Sequence, residues 1–112
     1  MIRQAYVAGS YSADTRTRVL HNISRALVAG CSLTKQGFHP IVPHTAGSHH
    51  ATWDDAMERC RFTIRNMSPT RDVLVLLPGW EQSKGACEER QLALDVGLPI
   101  LTLDEALTWE VS

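Results

Sequence analysis

Cysteine is scarce: the chain of 112 residues holds three, Cys31, Cys60 and Cys87. An odd number at wide spacing argues against a disulfide framework. With no CxxC and no Cys/His pairing, it also excludes a zinc module. Reduced thiols of a cytosolic protein are the plain reading. An excess of one charge is missing too. Lys and Arg number 11, Asp and Glu 12, for a net charge of −1 with His neutral. That balance lacks the basic footprint a polymeric nucleic acid requires. A small phosphorylated ligand stays open, because it needs only a local site. No apolar run approaches the length of a bilayer span, and no basic-plus-apolar leader opens the chain. A cytoplasmic location without a membrane partner is therefore expected. Internal repeats, linkers and low-complexity stretches are also absent, and the length suits one domain over residues 1–112.

What is present is alternation. Gln4 to Gly9 reads as a short apolar strand stopped by Gly9-Ser10. Asp14 is placed to cap a helix from about Thr15 to Gln36, in which Val19, Ile23, Ala26, Leu27, Gly30 and Leu33 recur at helical spacing. Gly37 ends it. Phe38 to Val42 is a second apolar run, followed by a polar loop from Pro43 to Thr52. A second helix is expected from about Trp53 to Met67, with Met57, Cys60, Ile64 and Met67 on its apolar side. Asp72 to Leu77 is continuously apolar after its first residue, as in a central parallel strand covered on both faces. Pro78 to Lys84 is a loop. A third helix runs from Gly85 to Val96, a fourth strand from Pro99 to Thr102, and a final helix from Leu103 to Val111. Repeated strand–helix order predicts an α/β fold: a Rossmann-like, doubly wound parallel sheet of four to five strands in three layers. Ligands of such sheets bind beyond the carboxyl ends of the strands. Here that means the loops Gly9 to Asp14, Pro43 to Thr52 and Pro78 to Lys84.

Glu89 is the most informative position. Glu88, Gln91 and Asp95 form the polar face of the third helix, whereas Glu89 falls with Leu92, Ala93 and Val96 on the apolar one. An inward carboxylate is costly unless it is partnered or used. Ser83 and Gly85 precede that helix, whose N-terminus suits a phosphate; an ordinary cap with a turn glycine is the plainer account. Gly9-Ser10 forms a second candidate phosphate turn. Tyr6 lies in the first strand, where a core role competes with a catalytic one. His44, His49 and His50 share one loop without acidic residues at matching spacing, which favours solvated side chains over a metal site. His44 differs in following a strand directly. Trp80 suits stacking on a base, or a lid over the core.

Together these residues resemble the nucleoside 2-deoxyribosyltransferase superfamily, and more closely its deoxynucleoside 5′-monophosphate N-glycosidases. Tyr6-Val7-Ala8-Gly9-Ser10 is similar to the family's Y-x-x-G-S. Ile41-Val42-Pro43-His44 looks like the segment where its second strand ends in a His, and Asp72-Val73-Leu74-Val75 like its central strand. Ser83 to Glu89 fits S-x-G-x-x-x-E, whose Glu is the family nucleophile. A nearer likeness is to a largely uncharacterised bacterial and phage family reading Y-x-A-G-P-Y-S and L-P-G-W-E-x-S-x-G-A-x-x-E. It is matched here by Tyr6 to Ser12 and Leu77 to Glu89.

The resemblance implies Glu89 as nucleophile and Tyr6 as the hydroxyl that tunes it. It implies phosphate binding by Gly9, Ser10, Ser83 and Gly85, with the base near Tyr11, His44 and Trp80. It also implies a homodimer or larger assembly and no metal or organic cofactor. Nucleoside transferases carry an acid where Ser83 stands; a Ser donates to a phosphate that an Asp would repel. The chain departs from the pattern at the family's active-site Asp, whose place falls near Ile64. Asp54 or Asp55, at the start of the second helix, is the expected substitute, with His44 a further proton donor. The expected activity is hydrolysis of a 2′-deoxynucleoside 5′-monophosphate to free base and 2-deoxyribose 5-phosphate. Deoxyribosyl transfer and a non-catalytic nucleotide-binding module are the alternatives.

Overall fold

The structure, a computed structural model, describes residues 2–45 and 52–109. Its order is β1 (Arg3–Ala8), α1 (Arg16–Gln36), β2 (Phe38–Ile41), α2 (Trp53–Arg65), β3 (Val73–Leu76), α3 (Lys84–Val96), β4 (Ile100–Thr102) and α4 (Leu103–Leu107). Short 3-10 turns at Pro43–Thr45 and Trp80–Gln82 follow β2 and β3.

The helix boundaries follow from caps. Thr15, not Asp14, caps α1. Its backbone is extended and its hydroxyl accepts from the Arg18 N–H at 3.2 Å. Asp14 stands one residue too early for that geometry and makes an exposed ion pair with Arg18 at 3.5 Å. Gly37 ends α1 at φ 103, a left-handed conformation that favours glycine. Thr52 caps α2, which stops at Arg65, short of the expected Met67. Thr102 and Glu105 form a reciprocal capping box that starts α4. This last helix ends at Leu107, not at Val111, and residues 110–112 lie outside the described part.

All strand pairs are parallel, in the order β2-β1-β3-β4. Strand side chains alternate between faces, and the core divides accordingly. Ala5, Val7, Val73 and Val75 pack on Ala26, Ala29 and Leu33 of α1 and Ala106 of α4. Tyr6, Ala8, Leu74 and Leu76 pack on Ile64 of α2 and Ala86 and Ala93 of α3. The result is a Rossmann-like, doubly wound domain of three layers, with four strands among the described residues.

β1 leads outward to β2, whereas β3 leads the other way to β4, so the chain reverses direction between β1 and β3. Crevices open at such reversals, at the carboxyl ends of the strands. The neighbourhood is tight: a Cβ on Gly9 would come within 2.8 Å of Leu77 Cδ1, so packing alone requires glycine there. At the sheet's edge, the β1–β2 register continues through Pro40, which pairs with Ala5. Among the described residues no helix is long and apolar enough to cross a membrane.

Candidate active site

Asp72 and Glu89 are the buried carboxylates of the described residues, and they differ in kind. Asp72 accepts backbone N–H groups from Gln4 at 3.0 Å and Ser68 at 2.8 Å, and lies 3.6 Å from Arg71 Nε. It closes the turn into β3 and is a structural acid. Glu89 pairs with no cation among the described residues. It occupies the buried stripe of α3 between Ala86 and Ala93 and is 5% exposed. The Tyr6 hydroxyl, projecting from β1, donates to its Oε2. Burial pushes the Glu89 carboxyl up from 4.5 to about 7, against the opposing pull of Tyr6 and of the Cys60 thiol. Burial and the neighbouring Glu89 raise Tyr6 far above its ordinary range, so its proton is held. The outcome is a carboxyl poised near neutrality, the property a nucleophile or base requires.

Glu89 opens into a cleft of about 580 Å³ at the β1/β3 reversal. That volume falls within the range of small-molecule sites. Gly9, Ser10, Tyr11, His44, Ser83, Gly85 and Glu89 all border it. Tyr6 reaches it through Glu89. Ser83 caps α3, its Oγ accepting from the Ala86 N–H at 3.1 Å. The hydroxyl hydrogen remains to donate elsewhere. A Cβ on Gly85 would meet Met57 Sδ at 3.4 Å, an ordinary contact, so internal packing does not demand this glycine as it does Gly9.

His44 is 6% exposed and its Nε2 lies 3.2 Å from the Ser10 carbonyl oxygen. A carbonyl only accepts, so Nε2 carries the hydrogen. Burial lowers the pKa of the ring and keeps it neutral. Nδ1 is then a bare acceptor, buried and without a hydrogen-bond partner among the described residues. Tyr11 packs edge-on against the ring, centroids 6.0 Å apart. His49 and His50 lie outside the described residues. Among those described, no three His, Cys, Asp or Glu side chains gather as a metal site.

A profile of the family described as Domain of unknown function (DUF4406) matches residues 4–102. The chain belongs to this family. A comparison with curated proteins finds no match. The DUF4406 match spans β1 through β4 and so contains every wall of the cleft.

Three of the residues singled out from sequence stand elsewhere in this DUF4406 domain. Trp80 does not border the cleft. It is half-buried against the α2/α3 side of the core, with the Arg90 guanidinium 5.3 Å from its ring. Its role is that of a lid over the core. Asp54 and Asp55 are exposed on the first turn of α2, and neither borders the cleft. The rotation of α2 explains this. Met57, Cys60 and Ile64 turn toward the sheet, and each residue advances about 100° around a helix.

The same stripe supplies what sequence reasoning passed over. Trp53, Met57 and Cys60 share one face of α2 and border the cleft, whereas Ile64 is fully buried beneath. Cys60 is thus the α2 side chain beside Tyr6 and Glu89, and burial pushes its thiol up to about 11. The periodic stripe was the available signal. Its upper members extend beyond the sheet and become cleft wall. Lys84, the first residue of α3, also borders the cleft.

Proposed function

We propose that this domain hydrolyses the N-glycosidic bond of a 2′-deoxynucleoside 5′-monophosphate. The observation that carries the reading is Glu89: a buried carboxyl poised near pH 7, held by Tyr6, opening into a cleft beside a helix N-terminus. The likeness of Tyr6 to Ser10 and of Ser83 to Glu89 to the N-glycosidase motifs supports the same chemistry.

In this mechanism the 5′-phosphate docks against Ser10, Ser83 and the free N–H groups of α3. Glu89, ionised, attacks the anomeric carbon as the bond to the base breaks. The bonding pair leaves with the base, which takes up one proton. A deoxyribosyl ester on Glu89 results; water then attacks the same carbon, the ester C–O bond breaks to restore the carboxylate, and the water's second proton returns to the group that protonated the base, releasing 2-deoxyribose 5-phosphate. This is the two-step logic of retaining glycosidases. Tyr6 keeps its proton throughout and orients the carboxylate. Asp54 and Asp55 are outside the cleft, and His44 presents an acceptor. The Cys60 thiol, which is protonated at neutral pH and adjoins the nucleophile, is therefore the donor assigned to the leaving base.

The test is incubation with a panel of deoxy- and ribonucleoside monophosphates, with released base read by chromatography. Base and 2-deoxyribose 5-phosphate are expected from the wild type. Glu89→Ala is expected to abolish release while retaining ligand binding. Full activity in that variant would end the proposal, and transfer of the sugar to an added base would convert it to a transferase.

A further inference from the structure

The first turn of α3 is electrostatically one-sided. Acidic side chains favour helix N-termini; α2 and α4 conform, with Asp54 and Asp55 in one and Asp104 and Glu105 in the other, whereas α1, which begins on Arg16, and α3 do not. α3 has no acid there and begins on Lys84. Its ammonium adds to the positive end of a 13-residue helix. No ion pair among the described residues includes it. Instead, Lys84 Nζ lies 4.6 Å from the centroid of the Trp53 ring. That ring stands at the start of α2, is 40% exposed and, like Lys84, borders the cleft.

A separate feature of the same cleft also calls for a ligand. The buried Nδ1 of His44 has no hydrogen-bond partner among the described residues, and its neutral ring leaves that atom an acceptor. A buried polar atom without a partner is unusual unless something supplies one. The cleft therefore joins an exposed aromatic face and an unneutralised cation at a helix N-terminus, with an orphan acceptor buried in the His44 of its wall. A cation over an exposed ring is weakly held, so a better anion can draw it away, and the ring it uncovers suits any base.

We propose that Trp53 and Lys84 select a ligand that joins a flat heterocycle to a phosphate. The heterocycle stacks on Trp53, and the ammonium moves from the ring to the phosphate at the N-terminus of α3. The assignment rests on the nucleotide reading above for its ligand class and adds the side chains that select it. It also transfers the stacking role from Trp80 to Trp53.

The experiment titrates Glu89→Gln protein, which binds without turnover, with the common 2′-deoxynucleoside 5′-monophosphates, their nucleosides and 2-deoxyribose 5-phosphate. Tryptophan fluorescence and calorimetry follow binding. Mononucleotides are expected to quench the fluorescence. Adding Trp53→Leu should remove the quenching and weaken mononucleotides roughly tenfold or more, while sparing the sugar phosphate. Adding Lys84→Met should weaken mononucleotides and sugar phosphate alike and spare the nucleosides. Both residues are exposed, and circular dichroism confirms that the variants fold. Unchanged mononucleotide affinity in either variant overturns the assignment, as does an absence of mononucleotide binding. Base release by the wild type is scored separately. Cleavage with unaffected variants overturns this assignment alone. Selective binding without cleavage upholds it and overturns the hydrolase reading.

Discussion

Replacing Glu89 with glutamine should stabilise the protein, and the gain should grow with pH in a defined window. In the native state burial holds the carboxyl at about 7, against an ordinary value of 4.5. Below pH 4.5 both native and unfolded chains are protonated at this site, and it exerts no pH-dependent effect. Between pH 4.5 and 7 the unfolded chain ionises while the native state resists, so native stability falls as pH rises. Above 7 both are ionised and the loss is complete. At about 1.36 kcal/mol per pH unit the interval corresponds to about 3 kcal/mol. The substituted amide cannot ionise, and its oxygen still accepts from Tyr6. The stability of Glu89→Gln relative to wild type should therefore rise by about 3 kcal/mol between about pH 4 and pH 8. In melting temperature the widening gap is roughly 10 °C for a domain of this size. Urea unfolding of both proteins across that range measures it. Any constant offset from the substitution itself cancels, because only the change with pH matters. Parallel stability curves would refute the reasoning, since they would mean that Glu89 is as free to ionise in the native protein as in solvent.

Further outcomes follow from the same geometry. The rate of base release should fall below a pH of about 7, as the nucleophile protonates. Tyr6→Phe, which removes a hydrogen bond to the charged form, should move that limb upward by roughly one to two pH units; a pH–rate profile shows whether it does. Ile64→Ala, at a fully buried position under the cleft, should cost about 2–5 kcal/mol in urea unfolding while leaving the limb in place. Trp80→Ala should cost ~0.5–3 kcal/mol of stability yet leave mononucleotide affinity unchanged in calorimetry, because that ring covers the core and not the cleft.

Much of this architecture is legible in the residues because both periodicities are clean. The apolar run after Asp72 is a strand buried on both faces, and the spacing of Ala26, Leu33 and Gly37 describes a helix and its stop. Glu89 stood out because a charged residue occupied an apolar stripe, and packing places it inside. The errors have a common physical cause. Asp14 and Thr15 are both good caps, and only backbone geometry chooses between them. Trp80 and Trp53 each sit near a predicted ligand-side loop, and which ring turns to the cleft depends on how far each helix overhangs the sheet. Asp54 and Asp55 lie close to the cleft along the chain but not around the helix. The α2 side chain beside the nucleophile is Cys60, one turn before Ile64 and concealed by its ordinary place in the stripe.

Pro40 bears on how copies of this domain can associate. Because the β1–β2 register runs unbroken through it, the donor that proline lacks falls on the outward side of the edge strand. A visiting strand would find its ladder interrupted there. At the opposite border β4 offers only three residues. Among the described residues, sheet extension is thereby discouraged at both borders.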